Sequence, residues 1–332
     1  MERFPQRPSE DELIARFFAP VAGKGGLGLK DDAACLRPAP GHDLVLTVDG
    51  LTAGIHFLAD DRPQSIARKA LAVNVSDLAA KAAEPSGFLL TLALPDDWTE
   101  AWLASFAEGL AEAADTFRCP LLGGDTVRAN GPLWLSVTAL GQVAAGRMVP
   151  RGGAQPGDRL CVTGTIGDAA LGLALRRGER PAWAARLNPD EQQALVDRYL
   201  HPRPRLAVAA ALGQHAKAAM DVSDGLAGDL AKMMRAGGTT AMIDVAAIPL
   251  SPAARAALAG DPDLIERLVT GGDDYEILCA VPEERLGPFL AEAASVGVAA
   301  VAIGTVGGGE GLPVFRDGAR ERRYEQGSFS HF

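Results

Sequence analysis

Six aspartates stand on short segments marked by glycine or serine, each following or interrupting an apolar run. They are Asp32 in Asp31-Asp32-Ala33-Ala34, Asp49 in Thr47-Val48-Asp49-Gly50, Asp77 in Asn74-Val75-Ser76-Asp77-Leu78, Asp125 in Gly123-Gly124-Asp125-Thr126, and Asp221 with Asp224 in Asp221-Val222-Ser223-Asp224-Gly225. The pattern predicts carboxylates where strands end or helices begin. A fold that gathers them must offset their mutual repulsion, and a hard cation does so. Mg²⁺ takes one or two carboxylates per ion and completes its shell with water and substrate phosphate. The segments therefore predict an enzyme that uses several metal ions to handle nucleotide phosphate.

The chain is long enough for two domains, with 332 residues of which 48% are apolar. Its net charge of −10 gives no basic field to attract a polyanion, which argues against nucleic acid as the main partner. ATP remains compatible, because metal ions can bridge two anions. The four cysteines, Cys35, Cys119, Cys161 and Cys279, form no Cys-x-x-Cys pair and suit reduced thiols in the cytoplasm. The first residues carry no apolar signal core, and no apolar run has the length of a membrane span.

Strand and helix patterns alternate along the chain, which gives an α/β or α+β class. Strands are expected at 43–49, 88–94, 133–142, 159–163, 218–222, 240–245, 277–281 and 298–306. Helices are expected at 11–18, 63–83 with a break near Asn74, 99–117, 167–177, 189–200, 226–235 and 283–295, with another starting over 206–212. The Gly- and Pro-rich stretch Val149–Asp158 marks a domain boundary, dividing the chain into 1–149 and 150–332. Val75-Ser76-Asp77 followed by Gly123-Gly124-Asp125 has an echo in Val222-Ser223-Asp224 followed by Gly271-Gly272-Asp273. Shared ancestry of two halves and chance recurrence of short turns both explain it.

Each segment also has a plain structural reading. Asp32 and Asp49 fit solvated turns. Ser76-Asp77 fits a helix cap, worth about 1 kcal/mol. Ser223-Asp224-Gly225-Leu226 is harder to explain that way, because glycine weakens a first helical turn. It suits the approach of a phosphate or metal to a helix N-terminus. Paired glycines before Asp125 can expose N–H groups as an anion nest. Gly271-Gly272-Asp273-Asp274-Tyr275-Glu276 carries more acid than a turn needs. His56 alone fits a structural role, and Arg151 a solvated surface charge or a partner for phosphate. The chain has neither a Walker A motif nor the protein-kinase set.

In their order these segments resemble the thiamine-monophosphate kinase family, part of a superfamily with aminoimidazole ribonucleotide synthetase. The pieces that carry the resemblance are Gly54-Ile55-His56-Phe57, the run Lys69 to Ala80, Leu122-Gly123-Gly124-Asp125-Thr126, Asp221-Val222-Ser223-Asp224-Gly225-Leu226 and Gly272-Asp273-Asp274-Tyr275-Glu276. The resemblance implies ATP-dependent phosphorylation of thiamine monophosphate to thiamine diphosphate by direct, Mg-assisted transfer with no dedicated catalytic base. It implies metal contacts at Asp32, Thr47, Asp49, Asp77, Asp125, Asp221 and Asp224, ATP contacts at Gly124, Asp125, Arg151 and Ser223, and substrate contacts at His56, Asp273 and Phe329. It implies several Mg²⁺ ions and leaves the participation of K⁺ open. It also implies an N-terminal sheet domain that binds ATP and Mg²⁺ and pairs in a homodimer, and a C-terminal α/β domain that completes the phosphate and substrate site. Lys30, Val48, Asp273 and Lys81-Ala82 depart from the family's usual Gly, hydroxyl residue, Glu and Met-Gly. Another ATP-using enzyme of the superfamily and a catalytically silent nucleotide or thiamine-phosphate binder are the competing expectations. Gly54-Ile55-His56-Phe57 and the Ser-His-Phe ending favour the thiamine enzyme over the first. Retained clustered carboxylates weigh against the second.

Overall fold

The computed structural model describes residues 8–328, which group into two compact units. The first runs to Leu78 and resumes over Glu84–Ala145; the second takes Ala79–Ala83 and the chain from Gly146 onward.

The first unit holds strands β1 (His42–Thr52), β2 (Glu84–Leu94), β3 (Leu121–Arg128) and β4 (Trp134–Ala144) in the order β1-β4-β2-β3. β4 is antiparallel to both of its neighbours, and β2 and β3 run parallel. A parallel pair needs a crossover, and helix α3 (Glu100–Phe117) supplies it between β2 and β3. The other helices are the short α1 (Glu10–Leu13), closed by a Ser9–Glu12 capping box, and α2 (Pro63–Ala80). Leu103, Phe106, Leu110 and Phe117 of α3 are buried at helical spacing. β1 alternates: Val45 and Leu51 are buried, while Leu46 and Val48 stay 62% and 60% exposed. One face of the sheet is therefore covered and the other open.

The second unit contains a seven-stranded mixed sheet in the order β11-β10-β7-β9-β5-β8-β6. Its strands are β5 (Arg159–Thr163), β6 (Ala218–Val222), β7 (Thr240–Asp244), β8 (Glu276–Val281), β9 (Ala300–Gly307), β10 (Val314–Asp317) and β11 (Arg320–Arg322). Its helices are α4 (Asp168–Arg176), α5 (Pro189–Leu200), α6 (Ala209–His215), α7 (Leu226–Gly237), α8 (Pro252–Gly260), α9 (Leu264–Thr270) and α10 (Glu283–Ser295). The central strands feed two cores, one per face. Leu160, Val162, Met220 and Val222 pack with Leu230 and Met233 of α7. Cys161, Ile277 and Cys279 pack with Leu212 of α6 and Phe289 of α10. Burial on both faces explains why these strands read as continuous apolar runs. Among the described residues, no helix is long and apolar enough to cross a membrane.

Three local expectations change. α2 continues through Asn74 without a break; Asn74 is buried, and its side chain donates to the Ala70 carbonyl one turn back at 3.1 Å. Ser76 and Asp77 lie inside α2 and not at a helix start, so the capping reading fails. Gly123-Gly124-Asp125 runs within β3 and not through a turn. A Cβ on Gly124 would overlap the Leu90 carbonyl oxygen. Close approach of two strands, rather than an anion nest, is what calls for glycine there. The two halves of the internal echo also differ locally: Ser76-Asp77 is helical, whereas Ser223-Asp224 joins β6 to α7.

Candidate functional site

In the first unit, β1 and α2 bring together residues 30 and 25 positions apart. Thr47 Oγ1 donates to Asp77 Oδ2 at 2.5 Å, and the Asp49 backbone N–H donates to Asn74 Oδ1 at 3.1 Å. The periodicities account for this. Thr47 and Asp49 share the covered face of β1, and Asn74 and Asp77 sit three apart on one face of α2. His56 follows in the turn closed by the Gly54 N–H to Phe57 carbonyl bond of 2.7 Å. The Thr52 backbone N–H donates to its Nδ1 at 3.0 Å. Nδ1 is thus an acceptor, and a neutral ring carries its proton on Nε2.

Asp32, Gly124 and Asp125 form a second group. They line a cavity of about 680 Å³ with Asp31, Gly123 and Thr91, and with Leu89, Leu90 and Leu122 on its apolar side. Thr47, Asp49 and Asp77 are not part of that lining. The register explains the separation. Asp49 lies in the row of Val137, Leu90 and Gly124, whereas Asp125 lies one residue on, in the row of Ser136 and Thr91. Successive side chains of a strand point to opposite faces.

In the second unit, β6 carries the buried Asp221, and Ser223 and Asp224 follow, half-buried, before α7. Gly225 sits at φ 123°, and a Cβ there would come within 2.5 Å of the Thr270 carbonyl oxygen. Glycine is therefore required by conformation and by space. Asp229 of α7 reaches back: its Oδ2 accepts the N–H groups of Ser223 at 3.0 Å and Asp224 at 2.9 Å. Lys232, one turn further on, donates to Asp229 Oδ1 at 2.9 Å and to Asp224 Oδ2 at 2.5 Å. Burial raises the Asp229 carboxyl above the usual carboxylate range, and Lys232 offsets part of that. Arg151 is exposed in the bend after Pro150, whose carbonyl accepts the Ala219 N–H at 3.0 Å.

The acidic segment before β8 is tied to the same turn. The N–H groups of Asp273 and Tyr275 donate to the carbonyls of Ser223 and Val222, each at 2.8 Å. Asp273 and Tyr275 have φ of 73° and 50°, uncommon for residues with a side chain. Two buried carboxylates hold this backbone. Asp274 accepts the Gly167 N–H at 2.8 Å, and Glu276 accepts Thr163 Oγ1 at 2.7 Å, Arg198 at 3.0 Å and Arg205 Nε at 2.6 Å. Burial pushes the Asp274 carboxyl well up, against the pull of the Gly167 N–H and Arg198. Phe329 lies outside the described residues.

Within the first unit the predicted residues fall into a Thr47–Asp49–Asp77 group and an Asp32–Asp125 group, and within the second Asp221 and Asp224 stand together at the end of β6. Among the described residues, no three His, Cys, Asp or Glu side chains converge as a ready-made metal cage. The donors near Asp77 are a carboxylate, a hydroxyl and an amide oxygen. Hard oxygen donors in small number fit Mg²⁺, which keeps water and phosphate in its shell; they do not fit a cage built wholly from protein. Sequence reading missed Asp229, Lys232, Arg198, Arg205 and the inward role of Glu276. The Asp229–Lys232 spacing of three was a visible signal. The arginines, 78 and 71 residues from Glu276, left none.

Known proteins frame these groups. Residues 30–143 match the AIR synthase related protein N-terminal domain, and 155–316 match the corresponding C-terminal domain. The chain is 44% identical over 316 residues to thiamine-monophosphate kinase of Caulobacter vibrioides, covering 94% of this chain and 88% of the relative. The crystal structure of thiamine-monophosphate kinase from Stenotrophomonas maltophilia superposes with a TM-score of 0.79 at 37% identity, covering 88% of this chain and 91% of that one. AaThiL complexed with AMPPCP and TMP superposes with a TM-score of 0.74 at 29% identity, covering 97% and 100%.

Proposed function

The chain belongs to the thiamine-monophosphate kinase family, within the AIR synthase related proteins, and transfers the terminal phosphoryl group of ATP to thiamine monophosphate; we propose that the transfer is direct, in line and assisted by Mg²⁺. The observation that carries the activity is the identity to a thiamine-monophosphate kinase across nearly the whole chain. The reported complex of a relative with AMPPCP, an ATP analogue, and TMP agrees with both substrates.

The bond between the β–γ bridging oxygen and the terminal phosphorus breaks, ADP leaves, and an oxygen of the thiamine monophosphate phosphate bonds to that phosphorus. A phosphate monoester has its second pKa at about 6, so the attacking oxygen is already anionic at neutral pH and needs no base. What the protein must supply is positioning and charge. Mg²⁺ held at Asp32, Thr47, Asp49, Asp77, Asp125, Asp221 and Asp224 would neutralise the phosphates and stabilise charge as it develops. K⁺ is a further candidate, checked by replacing it with Na⁺.

Thr47 holds the Asp77 carboxylate, and Asn74 fixes the backbone at Asp49. Gly124 and Asp125, in the cavity beside Asp32, are assigned to ATP. Ser223 and Arg151 are assigned to its phosphates, with the Ser223 turn held by Asp229. His56, whose Nδ1 accepts the Thr52 N–H, and Asp273 are assigned to thiamine monophosphate, as is Phe329 from the sequence alone. The first unit serves ATP and Mg²⁺, and the second completes the requirements for phosphate and substrate. We also assign a homodimer through the open face of the first sheet, supported by the exposure of Leu44, Leu46 and Val48, and a cytoplasmic location, supported by four free cysteines.

The test is detection of thiamine diphosphate and ADP from ATP, Mg²⁺ and thiamine monophosphate, with Asp77→Asn and Asp125→Asn alongside. Equimolar products with strong loss in both variants are expected. Binding of both substrates without turnover at saturating Mg²⁺ would overturn the reading, and turnover indifferent to both substitutions would overturn the metal assignments.

A further inference from the structure

Asp224 is assigned above to a divalent cation, yet it already has a cation of the protein's own. Lys232 Nζ lies 2.5 Å from Asp224 Oδ2 and 2.9 Å from Asp229 Oδ1, so one ammonium bridges two carboxylates. The two acids differ. The Asp229 side chain is fully buried, and its other oxygen is committed to the Ser223 and Asp224 N–H groups. The Asp224 side chain is 38% exposed and Lys232 is 34% exposed. Nζ can therefore move off Asp224 toward solvent while keeping Asp229, but the reverse would strand a buried charge.

We propose that Lys232 is a built-in counter-cation that neutralises Asp224 in the cation-free protein and must be displaced from it before a divalent ion binds there. This deepens the reading of Asp224 as a cation ligand and rests on it. Lys232 lowers the intrinsic affinity of that position, so a divalent ion settles there when it brings phosphate charge with it. Nζ, released from Asp224 and still anchored by Asp229, then has donors for an incoming anion. The residue thereby couples occupancy at Asp224 to the arrival of the nucleotide or the phosphorylated substrate.

The experiment titrates Mn²⁺ into the full chain, following free Mn²⁺ by electron paramagnetic resonance, without nucleotide. Lys232→Met and Lys232→Gln remove the charge, Lys232→Arg keeps it, and Asp224→Asn is combined with each background. An ion pair of this partial exposure is worth about a two- to fivefold change in the competing dissociation constant. Tighter Mn²⁺ binding by that factor is expected in whichever charge-removing variant melts as wild type does. Lys232→Arg should bind as wild type does, and Asp224→Asn should abolish the gain. If Asp224→Asn weakens Mn²⁺ binding but removing the Lys232 charge leaves it unchanged or weaker, the counter-cation idea fails and the ligand assignment stands. Tighter binding in Lys232→Arg also overturns it. If Asp224→Asn changes nothing in any background, the assignment of Asp224 fails and the inference with it.

Discussion

The two units treat their acidic residues differently. In the first, Asp77 is held by the neutral hydroxyl of Thr47, and an amide oxygen of Asn74 steadies the backbone of Asp49. In the second, Asp224 and Asp229 share Lys232, and Glu276 is clamped by Arg198 and Arg205. A hydroxyl positions a carboxylate without cancelling its charge; an ammonium or guanidinium cancels it. The second unit thus spends its charges on holding the segments around Ser223 and Asp273, while the charge on Asp77 is kept for something brought from outside. Removing a partner should therefore harm folding in the second unit and activity in the first.

The largest effect expected is at Arg198. Its pairing with Glu276 joins side chains only 8% and 0% exposed; Glu276 keeps Arg205, so the loss is that of hydrogen bonds to a charged group, about 1.5–3 kcal/mol. Arg198→Met should lower unfolding free energy by that amount in urea titrations. The loss should grow with pH. Arg198 helps restrain the Asp274 carboxyl, which burial pushes well above its unfolded value. A carboxyl raised on folding contributes stability that is fully present below its unfolded pKa and is lost as pH rises through its folded one. Without Arg198 the folded value climbs further, so the gap between variant and wild type should widen as pH rises through the wild-type folded value of Asp274 and stay level below it. A gap that narrows would show that Arg198 does not govern Asp274.

Asp77→Asn comes next and should have the opposite signature. Loss of a carboxylate that supports transition-state charge costs about 10²-fold in kcat/KM, with a urea midpoint at or above that of wild type because a clustered charge is gone. Asp224→Asn, which removes a charge already paired with Lys232, should cost less activity. If Asp224→Asn proves the more damaging, the reserved charge sits in the second unit and the division drawn here is wrong.

These differences were unevenly legible in the sequence. The strands around β5, β6 and β8 were visible because both of their faces are buried. α8 was not: its buried positions are the small residues Ala253, Ala254 and Ala257, which give a weak pattern. α9 is only a seven-residue helix, too short for a clear period. The aspartates stand out in the sequence, but their settings were misread at Asp77 and Asp125. Ser-Asp and Gly-Gly-Asp are turn signals in isolation, whereas in this fold tertiary packing places one in α2 and the other in β3. The charge clamps of the second unit were largely invisible, since the partners of Glu276 come from 71 and 78 residues away.

The smallest effect separates positioning from charge at Asp77 itself. Thr47→Val keeps the β-branched shape that suits β1 and removes only the hydroxyl that reaches Asp77. The charge stays, but its orientation is left to water, a loss of about 1 kcal/mol. In a Mg²⁺ titration of activity, the half-saturating concentration should rise about fivefold, as that energy dictates, while kcat at saturating Mg²⁺ stays near wild type. Thr47→Ser, which restores the hydroxyl without the methyl, should return the titration to the wild-type curve. If Ser behaves as Val does, the methyl packing of Thr47 is what matters. If kcat falls with Mg²⁺ saturated, Thr47 acts on the reacting phosphates and its bond to Asp77 is incidental.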